Sequence, residues 1–172
     1  MQLTTQVFAA AGFLAAANAA AIGQEQFAGE YFIKNAYANK KLSLSAPGDG
    51  WSSDTMIMND YSAPFCPTQV FELDMHSDGK HVRIASKAYN PPLYLTIRSI
   101  NATPTFHPWA GYDDQWFELI QTGVAGRYVI TMKFKGEGGN LSLGWNPTQG
   151  GWFAYPYTTY DDMKWYILPK LN

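Results

Sequence analysis

Residues 68–73 read TQVFEL, and related stretches recur as DQWFEL at 114–119 and DMKWYI at 162–167. Each copy ends with an aromatic residue, one intervening residue and an aliphatic residue, which is the period-two pattern of a strand with one buried face. The aromatic residues are Phe71, Phe117 and Trp165, separated by 46 and 48 positions. The pattern predicts one strand per copy, with these three rings in a common core.

Two further landmarks recur in the same order and at a similar spacing. The sequence LSL at 42–44 returns as LYL at 93–95 and LSL at 141–143. Ahead of each lies a second triplet, YFI at 31–33, VRI at 82–84 and YVI at 128–130. Three landmarks in register three times indicate a threefold internal repeat. The repeats are placed at about 30–77, 78–123 and 124–172.

The local pattern predicts an all-β chain with four strands in each repeat. Outside the first twenty residues no segment has apolar spacing typical of a helix, and 15 Gly and 10 Pro separate short alternating runs. Twelve strands suit a closed antiparallel body, because one repeat cannot bury its apolar face alone. The strands are expected at 30–35, 41–45, 56–61, 70–74, 81–86, 93–97, near 105, 116–120, 127–133, 141–143, 151–155 and 164–168. Near the pseudo-threefold axis the three motif rings are expected to meet Leu44, Leu95 and Leu143.

The amino-terminal segment has the form of a secretory leader. An alanine-rich apolar run at 7–17 is followed by the small-x-small sequence ANA at 17–19. The run is too short to span a bilayer. The sequence therefore predicts a signal peptide at 1–19, cleaved near 19–21, and a single secreted domain at 22–172.

Charge and composition narrow the class of function. The formal net charge is −2 and no basic cluster exists, which argues against a nucleic-acid partner. Cys66 is the only cysteine, so no intrachain disulfide can form, and a buried thiol is the favoured interpretation. The three histidines are scattered and no catalytic motif is present, so we expect no enzyme, metal site or cofactor. The acidic pairs at 113–114 and 161–162 are interpreted as turns that lead into motif strands.

The repeated motif resembles the Gln-x-Trp motif of ricin-B-type (R-type) lectins, which are β-trefoil proteins. Residues 69–71 (QVF) and 115–117 (QWF) keep the glutamine, and 163–165 (MKW) keeps the tryptophan. Residues 107–115 are similar to the stretch before the motif in fungal members. The resemblance covers essentially all of the mature chain and implies a β-trefoil with a carbohydrate ligand. Where those lectins place a sugar-binding aspartate, this sequence has Ser43, Tyr94 and Ser142.

Aromatic residues make up 16% of the chain, more than a small core needs, so some of them are expected at the surface. Aromatic faces stack on sugar rings, and amide or carboxylate groups satisfy the hydroxyls. In the third repeat the candidate site combines both kinds of side chain: Trp145, Asn146, Gln149, Trp152, Tyr155 and Tyr157. The second repeat offers a weaker version at Trp109 and Asp113. Trp145 and Tyr155 are expected to be exposed; alternatively, Trp152 and Phe153 form hairpin core and Trp145 covers the barrel.

The expected function is therefore non-catalytic carbohydrate binding by a secreted protein. The alternative is a β-trefoil protease inhibitor, or another module that binds a protein after losing its sugar site. The acceptor sequence NAT at 101–103 predicts an N-linked glycan on Asn101. A second acceptor sequence begins at Asn140, but it adjoins a predicted core strand.

Overall fold

The computed structural model describes residues 27, 29–38, 40–44, 54–59, 67–136, 139–146, 151–156 and 160–170. Within these ranges the chain forms twelve strands and, before each motif strand, a short 3₁₀ turn. No helix in the described ranges is long and apolar enough to cross a membrane. The strands are β1 Glu30–Asn35, β2 Lys41–Leu44, β3 Asp54–Asn59, β4 Phe71–Met75, β5 His81–Ser86, β6 Tyr94–Thr96, β7 Thr105–His107, β8 Phe117–Gln121, β9 Arg127–Gly136, β10 Gly139–Asn146, β11 Gly151–Pro156 and β12 Lys164–Pro169.

Six of the strands close into an antiparallel barrel. Each repeat contributes its first and its fourth strand, and every neighbouring pair around the ring is hydrogen-bonded: β1–β4, β4–β5, β5–β8, β8–β9, β9–β12 and β12–β1. The second and third strands of each repeat form a hairpin, β2–β3, β6–β7 or β10–β11. Closure leaves the six barrel strands without an open edge. This architecture is a β-trefoil, as the sequence predicts.

The strand register reproduces the threefold repeat residue by residue. Within the repeats, the motif ring lies opposite the first residue of the YFI-type triplet. The three pairs are Tyr31 with Phe71, Val82 with Phe117, and Tyr128 with Trp165. Equivalent residues along the sequence therefore occupy equivalent places in the barrel.

The core lies on the barrel axis and contains the predicted residues. Phe71, Phe117 and Trp165 have no exposed surface, and Leu95 and Leu143 are equally buried. The indole Nε1 of Trp165 donates a hydrogen bond to the carbonyl oxygen of Leu143 at 3.0 Å, which satisfies its polar atom. The predicted core is confirmed at these positions, whereas the side chain of Leu44 lies outside the described part of the chain.

Some strand limits differ from the prediction. β3 begins and ends two residues earlier than the expected 56–61 and pairs with β2 from Leu44 to Lys41. β10 is longer than the predicted 141–143, because it pairs with β9 at one side and β11 at the other. Hydrogen bonding on both sides extends this strand beyond the apolar triplet by which the sequence marks it.

The acidic pairs lead into the motif strands as predicted. Asp113–Gln115 and Asp161–Met163 are 3₁₀ turns, and the N–H groups of Trp116 and Lys164 donate to the carbonyl oxygens of Asp113 and Asp161. The Lys164 ammonium, 2.7 Å from Asp161 Oδ1, holds the pKa of that carboxyl below its usual value. The 3₁₀ turn before β4, Pro67–Gln69, contains no acidic pair.

Candidate functional site

The outer wall of the barrel carries a polar and aromatic group of side chains around β4, β5 and β8. Side chains alternate along a strand. Because Leu73, Ile84 and Phe117 are in the core, their neighbours Arg83 and Trp116 face outward. The β6–β7 hairpin and the loop that follows it bring Tyr94 and Trp109 over the same part of the wall.

Three aromatic rings surround the guanidinium of Arg83. Its Cζ lies 4.4 Å from the ring centroid of Trp109, 5.0 Å from that of Tyr94 and 5.1 Å from that of Trp116. Trp109 meets the other two rings edge to face, at centroid distances of 5.7 Å to Tyr94 and 5.5 Å to Trp116. We call Arg83, Tyr94, Trp109 and Trp116 the Arg83 cluster. A cation within about 6 Å of a ring centroid is attracted by the ring, so the guanidinium holds the three rings together.

A carboxylate fixes the orientation of the guanidinium. Asp74, opposite Arg83 on β4, accepts a hydrogen bond from Arg83 Nη2 at 3.1 Å. Arg83 Nε is buried and has no hydrogen-bond partner in the described part of the chain.

The motif glutamine fixes the loop that carries Trp109. The side-chain carbonyl of Gln115 accepts from the N–H of Ala110 at 2.9 Å, and its amide donates to the carbonyl oxygen of Pro108 at 3.0 Å. The same amide donates to the Thr96 hydroxyl at 3.0 Å. The residues on both sides of Trp109 are thus bound to one buried side chain. Trp109 remains 40% exposed, so it presents a fixed aromatic surface to solvent.

Polar groups lie around this surface. Asp113, another predicted site residue, is more than half exposed and its Oδ1 lies 3.2 Å from Lys133 Nζ. His107, paired with Tyr94 across the β6–β7 hairpin, has its Nε2 2.8 Å from the Thr105 hydroxyl oxygen. Carboxylate and imidazole groups beside an aromatic face can bind the hydroxyls of a ring-shaped polar ligand. Trp109 and Asp113, the two residues predicted in the second repeat, are thus both exposed in the segment between β7 and β8.

In the third repeat the structure brings some of the predicted residues together. Trp145 and Trp152 are partners in the backbone register of the β10–β11 hairpin, and Asn146 Nδ2 donates to the Tyr155 hydroxyl at 2.9 Å. The expectation that Trp145 and Tyr155 are exposed is wrong, since both are half-buried. Trp145 packs against the hydrophobic core.

Gln149 and Tyr157 lie outside the described residues, as does the side chain of Trp152. The predicted signal peptide at 1–19 and Cys66 are also outside the described part. Asn101 is exposed, with a left-handed φ of 59° that asparagine tolerates better than most residues.

The positions equivalent to the lectin aspartate have different roles in this chain. Ser43 and Ser142 have no exposed surface, and their hydroxyl oxygens lie 3.1 Å from those of Thr68 and Thr131. Both serines therefore belong to the interior of their repeats. Tyr94, the third of these positions, is part of the Arg83 cluster.

Sequence reasoning missed Arg83, Trp116 and His76 as site residues. The alternation of core residues indicates that the first two point outward, but not that Tyr94 and Trp109 fold over them. His76, just after β4, contacts Trp116 edge to face at 4.4 Å. In the described ranges no three His, Cys, Asp or Glu side chains are placed to hold a metal ion.

No protein-family model and no curated protein sequence matches the chain. Among solved structures it is similar to ThreeFoil, a designed threefold-symmetric protein, with a TM-score of 0.67 and 17% identity over 81% of this chain and 97% of that one. SeviL bound to asialo-GM1 saccharide has a TM-score of 0.60 and 13% identity, over 82% of this chain and 97% of that one.

A further similar structure is the Polyporus squamosus lectin bound to the human-type influenza-binding epitope Neu5Acα2-6Galβ1-4GlcNAc. Its TM-score is 0.64 and its identity 17%, over 81% of this chain and 48% of that one. At this level of identity the likeness shows the fold. The chain thus has the β-trefoil fold found in these saccharide-binding lectins.

Proposed function

We propose that this chain is a secreted, non-catalytic carbohydrate-binding protein that holds its ligand on the Arg83 cluster. The observation that carries the proposal is Trp109, a 40% exposed residue whose ring packs on the Arg83 guanidinium and whose loop is hydrogen-bonded to Gln115. A rigid aromatic face binds the C–H face of a sugar with little loss of side-chain entropy. Asp113 and His107 supply the polar groups beside it.

Similar structures support this ligand class. SeviL and the Polyporus squamosus lectin are each described with a bound saccharide. The chemistry of the cluster agrees with such a ligand, because it offers an aromatic surface and polar atoms at its edge. The β10–β11 hairpin, with Asn146 and Tyr155, is the second candidate site.

The test is a glycan array followed by titration of the best-binding glycan. Trp109→Ala should weaken binding at least tenfold, about 1.4 kcal/mol, with a melting temperature close to that of the parent. Tyr112→Ala is the matched control, because Tyr112 is an exposed aromatic residue of the same loop region outside the cluster. If Trp109→Ala binds like the parent while Tyr155→Ala does not, the hairpin is the site.

A protein-binding function is the alternative, and one observation favours it. Large aromatic side chains are exposed outside the cluster, with Tyr37, Tyr112 and Tyr160 each at least 60% accessible. Exposed aromatic residues are typical anchors of protein interfaces. A parent protein that binds no glycan on the array but inhibits a protease in a panel would favour this function.

Secretion and glycosylation complete the proposal. The apolar run at 7–17 and the sequence ANA support a cleaved leader. Asn101 is exposed and its acceptor sequence lies in a loop between β6 and β7, which supports a glycan at this site. Intact-mass measurement of protein secreted by a eukaryotic host should show the loss of the leader and a glycan mass that Asn101→Gln removes.

A further inference from the structure

Two histidines lie beside the Arg83 cluster and share one carboxylate. His76 and His81 are at the end of the β4–β5 hairpin, with ring centroids 6.4 Å apart. The Nδ1 atoms of both rings point at Oδ2 of Asp78, at 3.0 Å for His76 and 2.6 Å for His81. Histidine is the side chain whose charge ordinarily changes between about pH 5 and 8. The pair can therefore add positive charge to this surface under mildly acidic conditions.

The geometry at His76 suits both protonation states. The backbone N–H of Asp78 donates to His76 Nδ1 at 3.1 Å, which requires a lone pair on that nitrogen and thus a neutral ring. A proton added at Nδ1 would instead meet Asp78 Oδ2, already 3.0 Å away. The ring can accordingly become charged without leaving its place against Trp116.

Asp78 remains an acceptor throughout this range. Burial alone would raise its pKa, but the N–H groups of Lys80 and His81 and the His81 ring outweigh this effect and hold the pKa of Asp78 well below its usual value. Both imidazoles thus face a carboxylate that is ionised whenever histidine titrates.

The net charge of this part of the barrel wall changes sign when both histidines are protonated. At neutral pH two cations and three carboxylates face the histidines and Trp116, giving a net charge of −1; two protonated histidines make it +1. These groups come from β4, the hairpin turn, β5 and β8: Asp74, Asp78, Lys80, Arg83 and Glu118. From β7, His107 adds a third titratable ring, opposite Tyr94 in the register of the β6–β7 hairpin. His76 touches Trp116, which touches Trp109, so this charge lies next to the exposed indole.

We propose that the His76–His81 pair sets the ligand class of the site. With both rings neutral, the cluster binds uncharged saccharides; with both protonated, it also binds saccharides that carry a carboxylate or a sulfate. This inference rests on the proposed function of the Arg83 cluster. It assigns a regulatory role to residues that do not stack on the ligand themselves.

The experiment compares the full mature chain on one glycan array at pH 7.5 and pH 5.5. The array carries neutral glycans together with sialylated and sulfated derivatives of the same cores. We expect the ratio of acidic to neutral binding to rise about fivefold or more at pH 5.5, because the local charge changes by two units close to the ligand. Binding of the neutral cores should change by less than about twofold.

Three variants test whether the histidine pair causes the rise in the ratio of acidic to neutral binding. His76→Gln combined with His81→Gln should abolish the rise, whereas Tyr112→Phe, an exposed change outside the cluster, should retain it. Asp78→Asn keeps an oxygen for the N–H groups of the turn but removes the negative charge, so it should move the rise to lower pH. Melting temperatures at pH 7.5 identify any variant that has lost its fold. If the double histidine variant does not fold, Asp78→Asn tests the proposal independently.

The outcomes separate the two proposals. Neutral glycans that bind through Trp109, with an unchanged acidic-to-neutral ratio, would overturn the role of the histidines and leave the carbohydrate function standing. A ratio that rises equally in the double histidine variant would also overturn it. If no glycan binds at either pH, both proposals are overturned.

Discussion

At the scale of single residues, the position of the motif glutamine shows how the second and third repeats differ. Gln115 in the second repeat is replaced by Met163 in the third, and both are buried. The hydroxyl of Thr96, which receives the Gln115 amide, is matched in the third repeat by Gly144. A Cβ at Gly144 would lie 3.2 Å from the Tyr155 ring and 3.4 Å from Met163 Cγ. A polar pair in one repeat is thus exchanged for apolar packing in the other, and each side chain suits its neighbour.

Replacement of this glutamine should destabilise the second repeat. Gln115→Met leaves the buried hydroxyl of Thr96 without its donor and releases the loop at Pro108 and Ala110. We expect a loss of about 1–3 kcal/mol in the free energy of unfolding, measured by urea denaturation. Gln121→Met, at an exposed position, is the control. A Gln115→Met variant as stable as the parent would contradict the structural role of the motif glutamine.

Two buried tyrosines predict a loss of stability at alkaline pH. Burial raises the pKa of Tyr31 and Tyr128, and for Tyr31 the proximity of Tyr128 adds to the effect. A raised pKa in the folded state means that the unfolded chain loses these protons first, so the free energy of unfolding falls as pH rises above about 10. The pKa of Lys41 is lowered, first by burial and then by Lys34, and this acts in the opposite sense.

The test is therefore a comparison between variants. Tyr31→Phe combined with Tyr128→Phe should flatten the fall in stability between pH 9.5 and 11, measured by denaturant unfolding at fixed ionic strength. Tyr112→Phe changes an exposed tyrosine and should leave the pH dependence of the parent unaltered. An equal fall in the double variant would show that other groups are responsible.

At the scale of elements, the barrel strands and the hairpins differ in how they are held. β5 pairs with β4 and β8 in the barrel, whereas β6 makes a single backbone pair with β5 and three with β7. Loops bound by one side chain, such as the one held by Gln115, connect the hairpins to the motif strands. In the second repeat the hairpin is thus less constrained than the barrel strands, and it carries Tyr94, one of the rings of the Arg83 cluster.

Hydrogen exchange should show this difference. Backbone amides in β5 and β8 are expected to exchange at least about 100-fold more slowly than those in β6 and β7, because local opening of a hairpin need not break the barrel. Measurement on the intact mature chain at pH 7 separates the two groups. Equal protection in the hairpins and the barrel would indicate that the whole repeat opens as one unit.

At the scale of the whole molecule, barrel closure ties the three repeats together. β12 of the last repeat pairs with β1 of the first, and Ile33 lies opposite Ile167 in this pair. Unfolding of one repeat therefore breaks its strand pairs with both of the other repeats. We expect a single calorimetric transition, with a van't Hoff enthalpy equal to the calorimetric one.

A core substitution at the closing pair makes this expectation specific. Ile33 has no exposed surface, so Ile33→Ala should lower the free energy of unfolding by about 2–5 kcal/mol. The loss should shift the single transition as a whole. Two resolved transitions, with only one of them moved, would mean that the repeats unfold independently.

The sequence by itself determined the repeat, the strands and the core. Those features follow from local alternation and from spacing, as Phe71, Phe117 and Trp165 illustrate. A strand with one buried face has alternating apolar and polar residues, and this alternation is visible in the sequence itself. It also marked Trp109 and Asp113 as neighbours along the chain. Strand limits such as those of β10 were less accurate, since pairing with two neighbours extends a strand beyond its apolar residues.

Only the tertiary structure decided which side chains form a site. Arg83 is 26 positions from Trp109, and barrel pairing together with the β6–β7 hairpin brings them to 4.4 Å. The tertiary structure likewise places Ser43 and Ser142 in the interior and packs Trp145 against the core. Outward-facing residues of separate strands have no mutual spacing in the sequence. Their contact depends on strand register and loop path, which long-range pairing sets.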